Sequence, residues 1–203
     1  MSRAATAAAR REVDAQVGLI VFLGATAMLF AALLLAYAVV RAEAPRWPPA
    51  GTPPFPRAAA GANTLLLIGA SLALRRARRA RDRARRWTRA ALALGTAFLL
   101  AQAALWRHLI AARLGPGAGA LGEVYFALSA LHALHVAGGL VALGLARARR
   151  GLPAGTLGGF PLPPATDSAG RSPAPSTRLR LVTIYWDFVL AIWVVAYVAV
   201  CWL

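Results

Sequence analysis

Three ionisable side chains interrupt otherwise apolar runs: His132 and His135 in LHALHVAGG, and Asp187 in IYWDFV. Imidazoles three residues apart share one helix face, here with Leu128, Gly139 and Ala142, so one ligand or one neighbouring helix could meet both. Metal or haem ligation needs further His, Cys or carboxylate groups converging at the same depth. The remaining histidine, His108, ends a different apolar run, and a single cysteine, Cys201, excludes an internal disulfide framework and a cysteine cluster. The pattern therefore predicts no metal site and no cofactor. It predicts instead hydrogen bonds between helices, typically about 1 kcal/mol each inside a membrane. No nucleophile beside a base, phosphate loop or carboxylate pair is present, so no catalytic residue is expected.

The runs carrying these groups are long enough to cross a bilayer. A span takes roughly 20 mostly apolar residues, at about 1.5 Å each, to cross about 30 Å of hydrocarbon. Five such segments occur, at about 17–40, 58–74, 88–110, 123–146 and 181–202. With 59% hydrophobic residues in 203, the composition is that of a membrane protein. The expected fold is all-α, a bundle of five transmembrane helices forming one membrane domain over residues 1–203. RAEAPRWPPAGTPPFPRAA is too rich in proline to be helical throughout, and the Gly/Pro/Ser-rich stretch at about 151–178 is expected to be a flexible link. MSRAATAAARREVDAQ has the charge pattern of a secretion signal, but the uncharged run Val17 to Val40 behind it reads as a retained span.

The net charge of +16 raises the question of a nucleic-acid partner. Every basic residue is Arg, and they lie between the apolar spans rather than on a folded basic face, which argues against nucleic acid. Alternate inter-span segments, terminal arms included, carry 18 and 5 arginines, so the positive-inside rule places the N-terminus in the cytoplasm and the C-terminus outside. Nine of these arginines lie between Arg75 and Arg89 with only Asp82 as counter-charge. This link is expected to continue spans 2 and 3 as helix, with Arg75, Arg76, Arg78 and Arg79 anchoring on anionic lipid at about 1 kcal/mol each; docking of a partner subunit is the alternative. Trp47, Trp87, Trp106 and Trp202 fall at span ends, as belt residues do.

Counting from the nearest arginines places Asp187 about 10 Å and His135 about 18 Å into the membrane from the cytoplasmic side. The difference suits a tilted or water-bridged contact. His132, His135 and Asp187 are therefore expected to form one intramembrane polar network facing the bundle interior, with His132 nearer the outer leaflet and Leu140 facing lipid. A proton relay through the same groups is the sharper alternative, and with it a small proton-coupled transporter, although the paired broken helices of such proteins are not visible. Thr26 in span 1, Asn63 and Thr64 in span 2 and Gln102 in span 3 are expected to bind helix to helix.

Several segments, in order, resemble the haem–copper oxidase (cytochrome c oxidase) subunit III family. GLIVFLGATAMLFAALLLAYAVVRA followed by WPP is similar to the family's first common helix, ANTLLL to its NTLLL stretch, and AQAALWRHL to its Gln-containing helix end. VYFALSALHALHVAGGL, with His132, His135, Gly138 and Gly139 in place, is the most specific match, and YWDFVLAIW, containing Trp186, resembles the last helix. The resemblance covers nearly the whole chain in the family's short, five-helix form. Three positions depart from it: Thr26 and Leu105 stand where the family has Glu, and the family's YWHFVD reads YWDFVL, with Asp187 at the His position and Leu190 at the acidic one. The resemblance implies an accessory subunit that binds no haem or copper and packs on catalytic subunit I beside subunit II. It would hold phospholipid between its helices and support proton uptake and the durability of turnover, as a multi-pass protein of the cell inner (plasma) membrane. At Thr26, Leu105 and Leu190 it carries over packing and not carboxylate chemistry. An accessory subunit of a nitric oxide reductase shares the same five-span pattern.

Overall fold

The computed structural model describes residues 3–49, 52, 55–80, 82–148 and 175–201. Five helices follow in order: α1 (Arg3–Glu43), α2 (Arg57–Arg79), α3 (Ala84–Ala111), α4 (Ala120–Ala148) and α5 (Pro175–Cys201). All five are long and apolar enough to cross a membrane, and the described residues contain no strand. The chain is thus an all-α, multi-pass membrane protein. Two boundaries differ from the sequence reading. Helix α1 begins at Arg3 rather than near Val17, because the alanine-rich RAATAAARREVDAQ favours helix. Residues 175–178 of the expected link are the start of α5, where Pro175 occupies a first-turn position that needs no N–H partner. Residues 151–174 of that link and Trp202 lie outside the described residues.

Helix α2 packs on α3 and α5, α3 on α4, and α4 on α5, so these four close a ring; α1 lies against the α4–α5 seam. The ring encloses one main apolar cluster, in which Leu67 and Leu74 (α2), Phe98 (α3), Val136 and Leu143 (α4) and Trp186 (α5) are fully buried. Leu140 packs against this cluster, which corrects its expected lipid-facing position. The α2–α3 hairpin is tight because its seam is lined by small side chains, Ala70, Ala73 and Ala77 on α2 and Ala84 and Ala91 on α3, which let the backbones approach. Its turn is closed by Ala80 N–H donating to Arg76 O at 2.9 Å and Arg83 N–H to Ala80 O at 3.2 Å.

A second cluster at the other end joins Ala60, Leu105, Leu109, Leu114 and Tyr125. There α3 ends in a two-bond cap: Leu114 N–H donates to Leu109 O at 2.9 Å and Arg113 N–H to Ile110 O at 3.0 Å. The cap needs a left-handed residue, and Arg113 takes it at φ 60°, at a cost that glycine would avoid. Leu109 and Leu114, brought together by this turn, are both buried in the cluster.

Candidate functional site

The polar side chains inside the bundle sort into three groups by the helices that position them. The first lies in the half of the bundle nearer the α3–α4 turn. Asn63 Nδ2 donates to Gln102 Oε1 at 2.8 Å, and Gln102 Nε2 donates to Tyr125 OH at 3.3 Å, tying α2 to α3 to α4. Trp106 Nε1 donates to Ser129 Oγ at 3.0 Å, and Trp193 Nε1 to Thr64 Oγ1 at 3.0 Å, adding α3–α4 and α5–α2 links. In hydrocarbon each such donor has no water to fall back on, so these bonds fix helix register as well as adding stability.

The histidines form the second group. His132 is 1% exposed and sits in an aromatic box: stacked on Trp193 at 4.6 Å between ring centroids, with the edges of Phe98 at 5.7 Å and Phe30 at 6.3 Å. Neither of its ring nitrogens has a hydrogen-bond partner among the described residues, so the expected interhelical bond from His132 is not made there. His135 Nδ1 lies 2.8 Å from Leu131 O, one turn back on its own helix. A carbonyl only accepts, so Nδ1 carries the proton. Tyr185 OH donates to the His135 carbonyl at 2.7 Å, joining α5 to α4. Phe30 of α1 packs against both imidazoles, and Phe22 against His135 and Tyr185. Thr26 lies one turn from each phenylalanine on the same α1 face and is buried.

Asp187 belongs to the third group, near the Arg-rich hairpin. Its carboxylate accepts from Ser71 Oγ and from Arg75 Nε at 3.2 Å, and its second oxygen is 3.1 Å from Arg75 Nη2. Ser71 and Arg75 are one turn apart on α2, so a single face of that helix meets the carboxylate twice. This corrects the expected pairing of Asp187 with His135. The hydrogen bonds of Asp187 run to α2 and that of the His135 ring stays within α4, so the expected network divides in two. Arg75, read as a lipid anchor, is the ionic partner. With side chains 53% and 31% exposed, the pair contributes at most about 1 kcal/mol.

Glycine positions complete the picture. A Cβ at Gly139 would lie 2.9 Å from Tyr185 Cε1 and 3.0 Å from Trp186 Cζ3. One at Gly95 would lie 2.8 Å from Leu140 Cδ2 and 3.0 Å from Trp186 Cη2. The indole of Trp186 is thus held between bare backbone of α3 and of α4. Gly138, beside it in sequence, is exposed and has only Tyr185 OH near its Cβ position, at 4.0 Å. Among the described residues no group of three or more His, Cys, Asp or Glu gathers as a metal site would require.

No protein-family model matches the chain. It is 30% identical over 190 residues to the probable cytochrome c oxidase subunit 3 of Mycobacterium leprae, covering 91% of this chain and 85% of the relative. The cytochrome c oxidase subunit 3 of Synechocystis is 27% identical over 193 residues, 90% of this chain and 73% of the relative, and the probable subunit 3 of Nocardia farcinica 29% over 184 residues, 88% and 82%. The chain belongs to the cytochrome c oxidase subunit 3 family. Of the positions read from the resemblance, Asn63 and Gln102 fall on the α2–α3 bond, Trp186 and Gly139 on the α4–α5 approach and Thr26 on the α1 face toward the histidines, while Gly138 is exposed. Sequence reasoning missed Ser71, Gly95 and Tyr185. Ser71 and Arg75 carried a usable signal, since two polar residues one turn apart at a span end present a donor face. A lone glycine such as Gly95 carries none, because glycine is common in membrane helices.

Proposed function

We propose that the chain is the accessory, non-metal-binding subunit III of a haem–copper respiratory oxidase of the cytochrome c oxidase type. In this reading it resides in the cell inner (plasma) membrane, packs on the catalytic subunit I in a complex with subunit II, holds phospholipid and sustains proton uptake during turnover. The observation that carries the reading is the similarity over nine-tenths of the chain to proteins named as this subunit; Asn63, Gln102, Gly139 and Trp186 lie on contacts between helices. Its contribution to catalysis is mechanical: four helices stitched by Asn63–Gln102–Tyr125, Trp193–Thr64 and Arg75–Asp187 make a stiff block against which a catalytic subunit can be held. The arginine distribution, 18 against 5, supports a cytoplasmic N-terminus, and reporter fusions in the Arg75–Arg89 turn and after Leu203 should read as cytoplasmic and external.

The test is deletion of the chain from its host. The remaining oxidase should start at a rate near that of the intact complex and lose activity over far fewer turnovers, with full durability restored by re-adding the chain. A complex whose lifetime is unchanged by the deletion contradicts the supporting role.

A further inference from the structure

The tip of the α2–α3 hairpin presents more cationic side chains than the protein uses. Arg75 is held by Asp187, the Arg76 guanidinium lies 5.3 Å from the Trp87 ring centroid, and Arg83 lies 3.6 Å from Asp82. Arg78, Arg79, Arg85, Arg86 and Arg89 are exposed, and none has a side-chain hydrogen bond or ion pair among the described residues. The uncharged run of α2 ends at Leu74 and that of α3 begins at Ala90, so at about 1.5 Å per residue these five arginines leave the helices roughly 2–8 Å beyond the apolar runs. A headgroup layer is about 5–7 Å thick on each side of the hydrocarbon. The five free guanidiniums therefore lie at the depth of lipid phosphates, and the tip is too short to stand clear of the membrane as a docking arm for a soluble protein would. Trp87, partly buried beside them, marks the same interface. The alanine seam of the hairpin keeps the two helices together, so the guanidiniums point outward from a rigid stem.

We propose that Arg78, Arg79, Arg85, Arg86 and Arg89 form a headgroup site that selects anionic phospholipid at the rim of the hairpin, with Arg75 and Arg76 engaged in holding the hairpin to α5 and to itself. The inference rests on the membrane placement of α2 and α3 and is independent of the oxidase reading. One headgroup phosphate meets one or two guanidiniums. At about 1 kcal/mol for each arginine near the surface, the preference for anionic over zwitterionic lipid is about five- to thirtyfold.

The full chain is reconstituted in nanodiscs of equal phosphatidylglycerol and phosphatidylcholine, and the lipids retained after partial delipidation are counted by native mass spectrometry. A nanodisc offers both lipids on both faces, so the result does not depend on which way the hairpin points. Phosphatidylglycerol should be retained about five- to thirtyfold over phosphatidylcholine, the ratio should collapse towards one in 1 M salt, where screening acts within about 3 Å, and inorganic phosphate at millimolar concentration should leave it largely intact. Replacing all five arginines with Gln should abolish the preference, while replacing them with Lys, which keeps charge and topology, should retain most of it. A ratio near one for the wild type at low salt overturns the proposal. So does a preference that survives both the salt and the Gln variant, or one that free phosphate removes, which would mark a small-anion site. Should the Gln variant keep its lipid preference and lose a co-purifying acidic subunit, the surface is a protein dock and the proposal fails.

Discussion

The glycine clamp on Trp186 gives the sharpest test of the packing. In Gly139→Ala the new methyl would lie 2.9 Å from Tyr185 Cε1, 3.0 Å from Trp186 Cζ3 and 3.1 Å from Trp186 Cε3, against an ordinary carbon–carbon contact of about 3.5–4.0 Å. The indole is 1% exposed and has little room to relax towards α3, where even a Cβ at Gly95 would lie only 3.0 and 3.1 Å from Trp186 Cη2 and Cζ2. Overpacking of this kind costs about 1–3 kcal/mol, and the gain in helix propensity on replacing Gly by Ala returns about 1. Gly144, on the same helix, has nothing within 4 Å of its Cβ position, so Gly144→Ala collects the propensity gain alone. Titrating the purified chain from mild detergent into SDS, followed by circular dichroism, should therefore place Gly139→Ala below Gly144→Ala by about 1–3 kcal/mol. The double variant Gly95→Ala/Gly139→Ala should fall below the sum of its parts by about 0.5–3 kcal/mol, since each change closes the route by which the other is relieved. If Gly139→Ala matches Gly144→Ala, or the pair is additive, Trp186 is not clamped and the α3–α4–α5 packing is wrong.

Other consequences follow from the polar groups and can be read in the same titration. His132→Phe keeps the ring between Trp193 and Phe98 and removes two unpartnered nitrogens, so stability should hold or rise by about 1 kcal/mol; a loss of 2 or more would reveal a bond to His132. Gln102→Leu strands Asn63 Nδ2 and also removes the bond donated to Tyr125 OH, so it should cost about 1–3 kcal/mol, more than Asn63→Leu, which removes one of the two bonds; equal losses would break the chain of bonds. Asp187→Asn removes the charge and keeps an acceptor for Ser71 and Arg75, so it should cost under about 1 kcal/mol, and His135→Ala in that background should cost no more than in the wild type, since the two sites are separate. Coupling between them would restore the single network.

The five spans were legible because length and hydropathy report directly on a solvent that admits only helices with satisfied backbones. The arginine-rich turn was legible as helix for a related reason: Arg is a good helix former and nothing between Arg75 and Arg79 breaks the pattern. The pairing of Asp187 was not. Depth along the membrane normal comes from counting residues, but which neighbour a side chain meets depends on its direction around the helix axis and on which helices adjoin. Asp187 faces α2 and His135 lies towards α1, a distinction that depth alone could not draw. Leu140 was misplaced for the same reason, since α4 is apolar all round and its lipid side cannot be told from composition. Arg75 was counted with its neighbours as a topology charge, although its one-turn spacing from Ser71 marked it out.

What accompanies the chain in its own membrane tests the oxidase assignment most directly. Tagging the full chain, extracting it in mild detergent and identifying the co-purifying polypeptides and haem by mass spectrometry and absorption spectroscopy should yield oxidase subunits I and II, with all haem and copper assigned to those partners. A chain that emerges alone or with transport proteins, or that keeps stoichiometric haem, copper or iron once stripped of partners, would contradict it.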